Sequence, residues 1–291
     1  MNNITFQQIE FFLTVAETKY IYKAAEALFV SQPDVSKWIS RLEKEIGVKL
    51  FERTHYGMKL TPQGSYLYSK CSPLYNRFCR AIENTRNIND NVNDYVRIGC
   101  INSYNCIELM KKYVRRYQEI HPDVIMYEEL YEYNELNQLL IAGKVDVVFS
   151  TSFAVNGLSN ITYKNVARTD LFIALPWSHP LASCENVQLE QLVDETFCIL
   201  APEIVKSGTD RLLDMCMKRG FYPKNIRYVP NISTLVLLLK QGLGVTICGN
   251  IAEDSDIKMY PIDELNETTF EVLAWRTNEL TRAAQEFVDV V

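Results

Sequence analysis

The chain has 291 residues and a mass of 33.7 kDa, 47% hydrophobic and 23% charged, which is ordinary globular composition and enough for about two domains with a core each. Its 11 Gly and 10 Pro are spread thinly, which excludes collagen-like, mucin-like and wholly disordered chains, and no uncharged apolar stretch nears the ~20 residues of a membrane-spanning helix. The net charge of −6 is uneven: residues 1–90 carry 12 Lys and Arg against 9 Asp and Glu, a net of +3, which leaves −9 for the remainder and suits a nucleic-acid-binding head on a larger acidic body.

The opening Met1-Asn2-Asn3-Ile4-Thr5 has neither the basic segment nor the apolar core of a secretory signal, which predicts a cytoplasmic protein. Eight cysteines are scattered without a C-x-x-C pair, and His55, His121 and His179 stand apart from them, so neither structural zinc nor a disulfide framework is expected, nor any other cofactor. The cysteines read as reduced core residues. A redox switch would need an exposed thiol of low pKa.

Thr5-Phe6-Gln7-Gln8 has the form of a capping box, and Phe6, Ile9, Leu13 and Ala16 follow at helical spacing to about Glu17. A second helix covers Ile21 to Phe29, with Ala24 and Ala25 small enough for another helix to approach. Ser31 caps a third, with Pro33 in its first turn. There Val35, Ile39, Leu42 and Ile46 make one apolar stripe. The opposite face presents Pro33, Ser36, Lys37, Ser40, Arg41 and Lys44: short side chains near the N-terminus and cations beyond, as a major-groove reader needs, although a solvated face has the same look. Val48 to Thr54 and Met58 to Leu60, around Gly57, predict a hairpin with Arg53 near its tip. Three helices and a hairpin describe a winged helix-turn-helix.

The runs Ala24-Ala25-Glu26-Ala27-Leu28-Phe29-Val30-Ser31-Gln32-Pro33-Asp34-Val35-Ser36-Lys37, Arg41-Leu42-Glu43-Lys44-Glu45-Ile46-Gly47-Val48-Lys49-Leu50-Phe51-Glu52-Arg53-Thr54 and Leu60-Thr61-Pro62-Gln63-Gly64 resemble, in order and register, the head of the LysR-type transcriptional regulators. The resemblance implies that Gln32, Pro33, Ser36 and Lys37 face bases and nearby phosphates and that the wing residue Arg53 enters the minor groove; Ser40 and Arg41 lie on the same helix face. Three positions depart from the pattern. Tyr20-Ile21-Tyr22 removes the usual Ser cap of the second helix, Asp34 replaces a common Ala, and Trp38 is bulkier than the usual polar residue. These departures bear on which DNA sequence is preferred.

Thr61-Pro62 opens a further helix. Leu67, Leu74, Ala81 and Ile88 recur every seven residues, with Cys71, Phe78 and Thr85 between, the seam of a helix that pairs with a second copy, although packing on its own domain would use the same stripe. Pro73 is awkward inside it, and the polar run 87–94 reads as a hinge. The expected domains are thus 1–60, a winged head; 61–90, a linker helix and hinge; and 91–291, a body.

In the body strands alternate with helices, which predicts parallel sheets with crossover helices. Strands are expected at Tyr95–Gly99, Val124–Leu130, Val145–Ser150, Asp170–Leu175, Phe197–Leu200, Ile226–Val229 and Val245–Cys248, and helices at Cys106–Ile120, Glu135–Ala142, Asp210–Arg219 and Ser233–Lys240. The phrases His121-Pro122-Asp123-Val124, Ala142-Gly143-Lys144-Val145-Asp146-Val147, His179-Pro180-Leu181-Ala182 and Gln241-Gly242-Leu243-Gly244-Val245 resemble the effector-binding domain of the same family. That implies two α/β lobes like a periplasmic solute-binding protein: lobe 1 at about 91–164 and 266–291, lobe 2 at about 165–265, with crossings near 161–168 and 262–270.

Ligands in such folds sit beyond the carboxyl ends of strands and at helix N-termini. This selects Asn102 and Ser103 after the first strand (the family often has a ligand-binding Ser or Thr at the latter), Thr151 after the third, Ser207 and Thr209, Asn231 and Ser233 before helices, and Gly249, where a Pro is usual. Each alone reads as a helix cap; the set reads as a site for a small anion such as a carboxylate. Enzymatic readings fail: Gly242-Leu243-Gly244 lies between helix and strand, the reverse of a dinucleotide fingerprint, and no nucleophile elbow or P-loop is present. The expectation is a non-enzymatic regulator that binds double-stranded promoter DNA as a homodimer or homotetramer, responds to a small-molecule effector, and alters DNA bending or contact with RNA polymerase. A redox-responsive member of the family and a cytoplasmic solute-binding protein are the alternatives.

Overall fold

The computed structural model describes residues 4–55, 57–87, 95–251, 256–262 and 269–291. The chain forms two compact units, Met1–Val92 with Ile141–Lys144, and Asn93–Leu140 with Val145–Val291.

In the N-terminal unit the capping box holds: the Thr5 N–H donates to Gln8 Oε1 at 2.7 Å and the Gln8 N–H to Thr5 Oγ1 at 3.3 Å. It opens α1 (Phe6–Thr18), which stops at Lys19 in the left-handed conformation. Helix α2 (Ile21–Ala27) starts at Tyr20 with no side-chain cap, as its sequence predicts, and ends two residues short of the predicted Phe29, which takes φ 53 and turns the chain. Helix α3 (Gln32–Ile46) is capped by Ser31 and closed by Gly47. Phe11, Phe12, Val15, Ala24, Ala25, Val35, Ile39 and Leu42 form one buried core; the ring of Phe12 meets that of Phe51 at 5.4 Å. Each such large side chain contributes about 1.5–3 kcal/mol on burial.

The hairpin pairs β1 (Phe51–Thr54) with β2 (Gly57–Leu60), from Phe51 opposite Leu60 to Thr54 opposite Gly57. The predicted first strand, from Val48, begins three residues late, and Glu43 is the reason. This carboxylate of α3, four residues past Ile39 and so on the apolar stripe, is buried and accepts the Leu50 N–H at 2.9 Å, the Phe51 N–H at 3.2 Å and Lys49 Nζ at 2.6 Å. The N–H groups of Leu50 and Phe51 are thus held by the helix at the point where the hairpin pairing begins. Burial pushes the Glu43 pKa up, but the Lys49 and backbone donors outweigh it and hold the carboxyl below its ordinary value.

Helix α4 (Pro62–Asn87) begins where Thr61 donates to the Lys49 carbonyl at 2.8 Å and accepts the Gly64 N–H at 2.9 Å. A Cβ on Gly64 would lie 2.1 Å from the Leu50 carbonyl, so only glycine fits. The helix runs through Pro73. Its predicted seam is divided. Leu67 and Cys71 pack on the unit's own core and Phe78 stacks on Phe6, while Leu74, Ala81 and Thr85 are exposed. Ile88 and nearly all of the predicted hinge lie outside the described residues.

The C-terminal unit has two lobes. Lobe 1 carries β3 (Tyr95–Ile101), α5 (Tyr104–Ile120), β4 (Ile125–Tyr131), α6 (Tyr133–Ala142), β5 (Val147–Thr151), α7 (Ser152–Val155) and β6 (Ile161–Thr169). Lobe 2 carries β7 (Phe172–Pro176), β8 (Thr196–Leu200), α8 (Pro202–Lys218), β9 (Asn225–Val229), α9 (Ile232–Lys240), β10 (Thr246–Cys248) and β11 (Ile257–Pro261). The chain then returns to lobe 1 with β12 (Thr269–Arg276) and α10 (Arg282–Val290), which the sequence pattern had left unassigned together with β11. The predicted parallel sheets are mixed sheets. Strands β3/β4, β3/β5 and β8/β9 are parallel, but β12 lies antiparallel between β5 and β6, and β7 is antiparallel to both β10 and β11. Residues 161–168, expected to cross between lobes, belong to β6 at the edge of the lobe 1 sheet, paired from Ile161 opposite Arg276 to Thr169 opposite Thr269. Most of the second expected crossing lies outside the described residues.

Glu43→Ala should cost about 2–3 kcal/mol of unfolding free energy in a urea titration, because two buried N–H groups lose a charged acceptor. A carboxyl whose folded pKa is depressed stabilises fully above its ordinary value of 4.5 and loses that contribution as pH falls through the lower folded value. Glu43→Gln should therefore flatten the acid limb of the stability profile; an unchanged limb would remove this role.

Candidate functional site

Two surfaces gather the residues that the sequence singled out. The first is an open concavity on the N-terminal unit, lined by Gln32, Pro33 and Ser36 of α3, Arg53 and Thr54 of the wing, and Tyr20 and Tyr22 at the start of α2. A bond from the Met58 N–H to the Lys19 carbonyl at 2.7 Å ties the wing beside the start of α2. Gly57 makes it possible: its φ is +110, and a Cβ there would lie 2.4 Å from the same carbonyl. Lys37 and Arg53 are exposed and form no ion pair among the described residues. Ser40 is exposed on the same helix.

Arg41 is otherwise engaged, bound to Glu45 at 3.0 Å and lying over the Trp38 ring at 5.6 Å. Trp38 itself is half-buried against Phe11. Asp34 is turned back onto the helix end, where its carboxylate accepts the Ser31 hydroxyl and its N–H donates to Ser31 Oγ at 3.3 Å. Sequence reasoning treated Tyr20 and Tyr22 only as a lost cap and passed over Thr54 and Met58, whose place in this surface comes from the wing's fold-back.

The second is a cavity of about 560 Å³ between the lobes of the C-terminal unit. Six of the eight residues selected there from sequence line it: Asn102, Ser103, Thr151, Thr209, Ser233 and Gly249. Ser103 begins α5 without spending its hydroxyl on a cap. Thr209 is buried and its hydroxyl is committed to backbone, 2.8 Å from the Leu200 carbonyl. Asn102 Nδ2 donates across the cleft to Ser233 Oγ at 3.4 Å.

Ser207 and Asn231 are not in the lining. Asn231 is the cap of α9, accepting the Thr234 N–H at 2.7 Å, and Ser207 donates to the Phe153 carbonyl at 2.8 Å. In both cases backbone takes the side chain, locally for Asn231 and from the other lobe for Ser207. Sequence reasoning missed Asn105, Tyr133, Thr169, Arg211, Thr269 and Glu271, which also line the cavity. The last two stand on β12, a strand without an expected place. Lobe 2 supplies an apolar wall that includes Ile199, Leu212, Met215 and Val236.

Two family models match the chain: "Bacterial regulatory helix-turn-helix protein, lysR family" over residues 6–65 and "LysR substrate binding domain" over residues 90–291. The chain belongs to the LysR family. It is similar to the HTH-type transcriptional regulator BudR of Raoultella terrigena, 25% identical across 97% of this chain and 98% of that protein. The regulator AlsR of Bacillus subtilis is also 25% identical, over 98% and 94%. Among solved structures, full-length CbnR in complex with its target DNA superposes with a TM-score of 0.66 at 21% identity, covering 99% of both chains.

For this LysR protein six of the eight cysteines speak against a thiol switch. All eight are free. Burial pushes the thiols of Cys106, Cys216 and Cys248 up to about 12, for Cys106 despite a nearby Ser103 hydroxyl, and raises those of Cys71, Cys100 and Cys198 as well. Such groups stay protonated and unreactive. Among the described residues no cluster of His, Cys, Asp and Glu could hold a metal ion, and no helix is long and apolar enough to cross a membrane.

Iodoacetamide at pH 8 should label the exposed Cys184 first and leave Cys100, Cys106, Cys216 and Cys248 unmodified in the folded protein, as read by peptide mass spectrometry. Fast labelling of any of those four would restore the redox alternative.

Proposed function

We propose that this LysR-type DNA-binding transcriptional regulator reads promoter DNA with α3 in the major groove and Arg53 at the adjoining minor groove, and that a small effector in the interlobe cavity alters the outcome. What supports the first half is one observation: the start of α3 and the wing tip open onto the same concavity, with Lys37 and Arg53 exposed and in no ion pair among the described residues. Side chains at Gln32, Pro33, Ser36 and Ser40 are short enough for the helix backbone to approach base edges, and the two cations meet phosphates. Arg41 serves less directly, because it must first leave Glu45.

The relation to CbnR, which is seen with its target DNA, favours the same use of the head. The exposed Leu74, Phe78 and Ile82 on α4 supply an apolar stripe for a second copy, so the working form is a homodimer or a homotetramer. For the second half, Asn102, Ser103 and Ser233 present uncommitted or weakly bonded polar groups at the strand ends and helix starts of both lobes. They suit an anionic group such as a carboxylate. Its effect on DNA bending or on RNA polymerase is bounded by its differential affinity for two lobe arrangements.

Lys37→Ala and Arg53→Ala should each weaken operator binding and make the salt dependence shallower by roughly 0.9 in slope for each lost phosphate contact. Unaltered gel-shift affinity would remove these assignments. Ser103→Ala should leave DNA affinity intact while shrinking the thermal shift produced by whichever metabolite stabilises the wild type; an unchanged titration would end the role of Ser103.

A further inference from the structure

The end of the lobe 1 sheet that faces the cavity holds polar atoms with nothing to bond. Glu271 is 2% exposed; Asn105 Nδ2 donates to its Oε1 at 2.9 Å, and its Oε2 has no partner among the described residues. The hydroxyls of Thr169 and Thr269 are buried and unpartnered in the same way, and the buried Thr151 hydroxyl has only the Tyr133 hydroxyl beside it. Register puts the four together: Glu271 stands opposite Thr151 across β12/β5, and Thr269 stands opposite Thr169 across β12/β6, two residues from Glu271. The pairing of β12 with β6 shifts between Glu271 and Val272, a bulge of the kind that redirects a side chain. All four residues line the cavity.

A buried carboxylate with a free oxygen, beside threonine hydroxyls able to accept, is poor ground for an anion and good ground for a group with several N–H donors and a positive charge. We infer that the effector carries a primary ammonium group, seated against Glu271 Oε2 and the hydroxyls of Thr151, Thr169 and Thr269, with an apolar portion along the lobe 2 wall. This deepens the proposed effector site and rests on it. An anionic group on the same molecule is compatible, because Asn102, Ser103 and Ser233 lie at other positions of the lining. An amino acid with an apolar side chain therefore has a place for each of its parts.

The test uses the full-length protein and two sets of small molecules that share a carbon skeleton: 2-phenylethylamine, L-phenylalanine and 3-phenylpropanoate, and 3-methylbutylamine, L-leucine and 4-methylpentanoate. Thermal unfolding is followed against concentration for the wild type, Glu271→Gln and Glu271→Asp. At least one ammonium-bearing member should raise the wild-type melting temperature, lose more than about tenfold in apparent affinity in Glu271→Gln, and recover part of it in Glu271→Asp. The Gln variant retains an acceptor for Asn105, and its unliganded melting temperature reports whether the fold is intact. Should a carboxylate without an amine be the stabilising member, with equal affinity in wild type and Glu271→Gln, the ammonium inference is overturned while the effector cavity stands. Equal weakening of amines and carboxylates in Glu271→Gln would reduce Glu271 to a structural residue and overturn it too. No stabilisation by any of the six would count against both the ammonium and the cavity.

Discussion

The N-terminal unit depends on one buried carboxylate. Glu43 gathers two backbone N–H groups and a lysine from the segment that leads into the wing, so the hairpin takes its direction from α3 itself. Without that constraint, four residues of β1 and four of β2 would form a hairpin too small to hold its own position. The second fixing point, the Met58 N–H to the Lys19 carbonyl, needs a glycine at 57. Between them these contacts decide that Arg53 lies beside Gln32 and Pro33 rather than anywhere else around the helix. A charge pays for its burial here by specifying geometry, which is the use for which a buried ionic group is best attested.

The C-terminal unit works from the opposite condition. Where Glu43 has both oxygens engaged, one carboxylate oxygen of Glu271 and the hydroxyls of Thr169 and Thr269 at the cavity end of β6 and β12 have no partner among the described residues. Buried polar groups without partners are uncommon, and a cluster of them on one wall of one cavity marks where the structure completes itself with something else. The other lining hydroxyls differ individually. Thr209 is committed to backbone, Ser103 is not, and Asn102 and Ser233 hold each other at a long 3.4 Å.

The head was legible in the sequence almost to the residue, because its signals are local: a capping box at Thr5 and Gln8, an apolar stripe from Val35 to Ile46, Thr61-Pro62 before α4. Glu43 was legible in principle, since a charged residue four positions past Ile39 interrupts a core face, but its partners seven and eight residues on could not be read from periodicity. The body was legible as strands and helices but not as sheets. Nothing in β12 announces that it will insert antiparallel between β5 and β6, because that choice is made by the chain's return from lobe 2. Hence Glu271 and Thr269 escaped a search guided by the carboxyl ends of strands: both lie toward the start of β12, and they reach the cavity only because that strand runs backwards. Asn231 and Ser207 failed for the contrary reason, their side chains being captured by backbone, that of Asn231 three residues on and that of Ser207 in the other lobe.

This division of labour bears on how a cavity could govern a DNA-reading head. The hydrogen bonds between the lobes include Asn102 to Ser233, Ser207 to Phe153, and Asn134 to the Glu203 carbonyl, all at exposed side chains. Bonds of that kind contribute on the order of 1 kcal/mol each, since water replaces them readily. The lobe arrangement thus rests on light polar contacts together with the packing of Val205 of lobe 2 into the lobe 1 core. A ligand that engages the polar end of the lobe 1 sheet and the apolar wall of lobe 2 together adds terms of comparable size that exist only at one spacing of the two walls. A preference of 1.4 kcal/mol between two spacings changes their ratio tenfold, and a ligand with no preference changes nothing however tightly it binds. Regulation by this cavity therefore requires contacts to both lobes at once, which the positions of Glu271 on one wall and of Met215 and Val236 on the other make available.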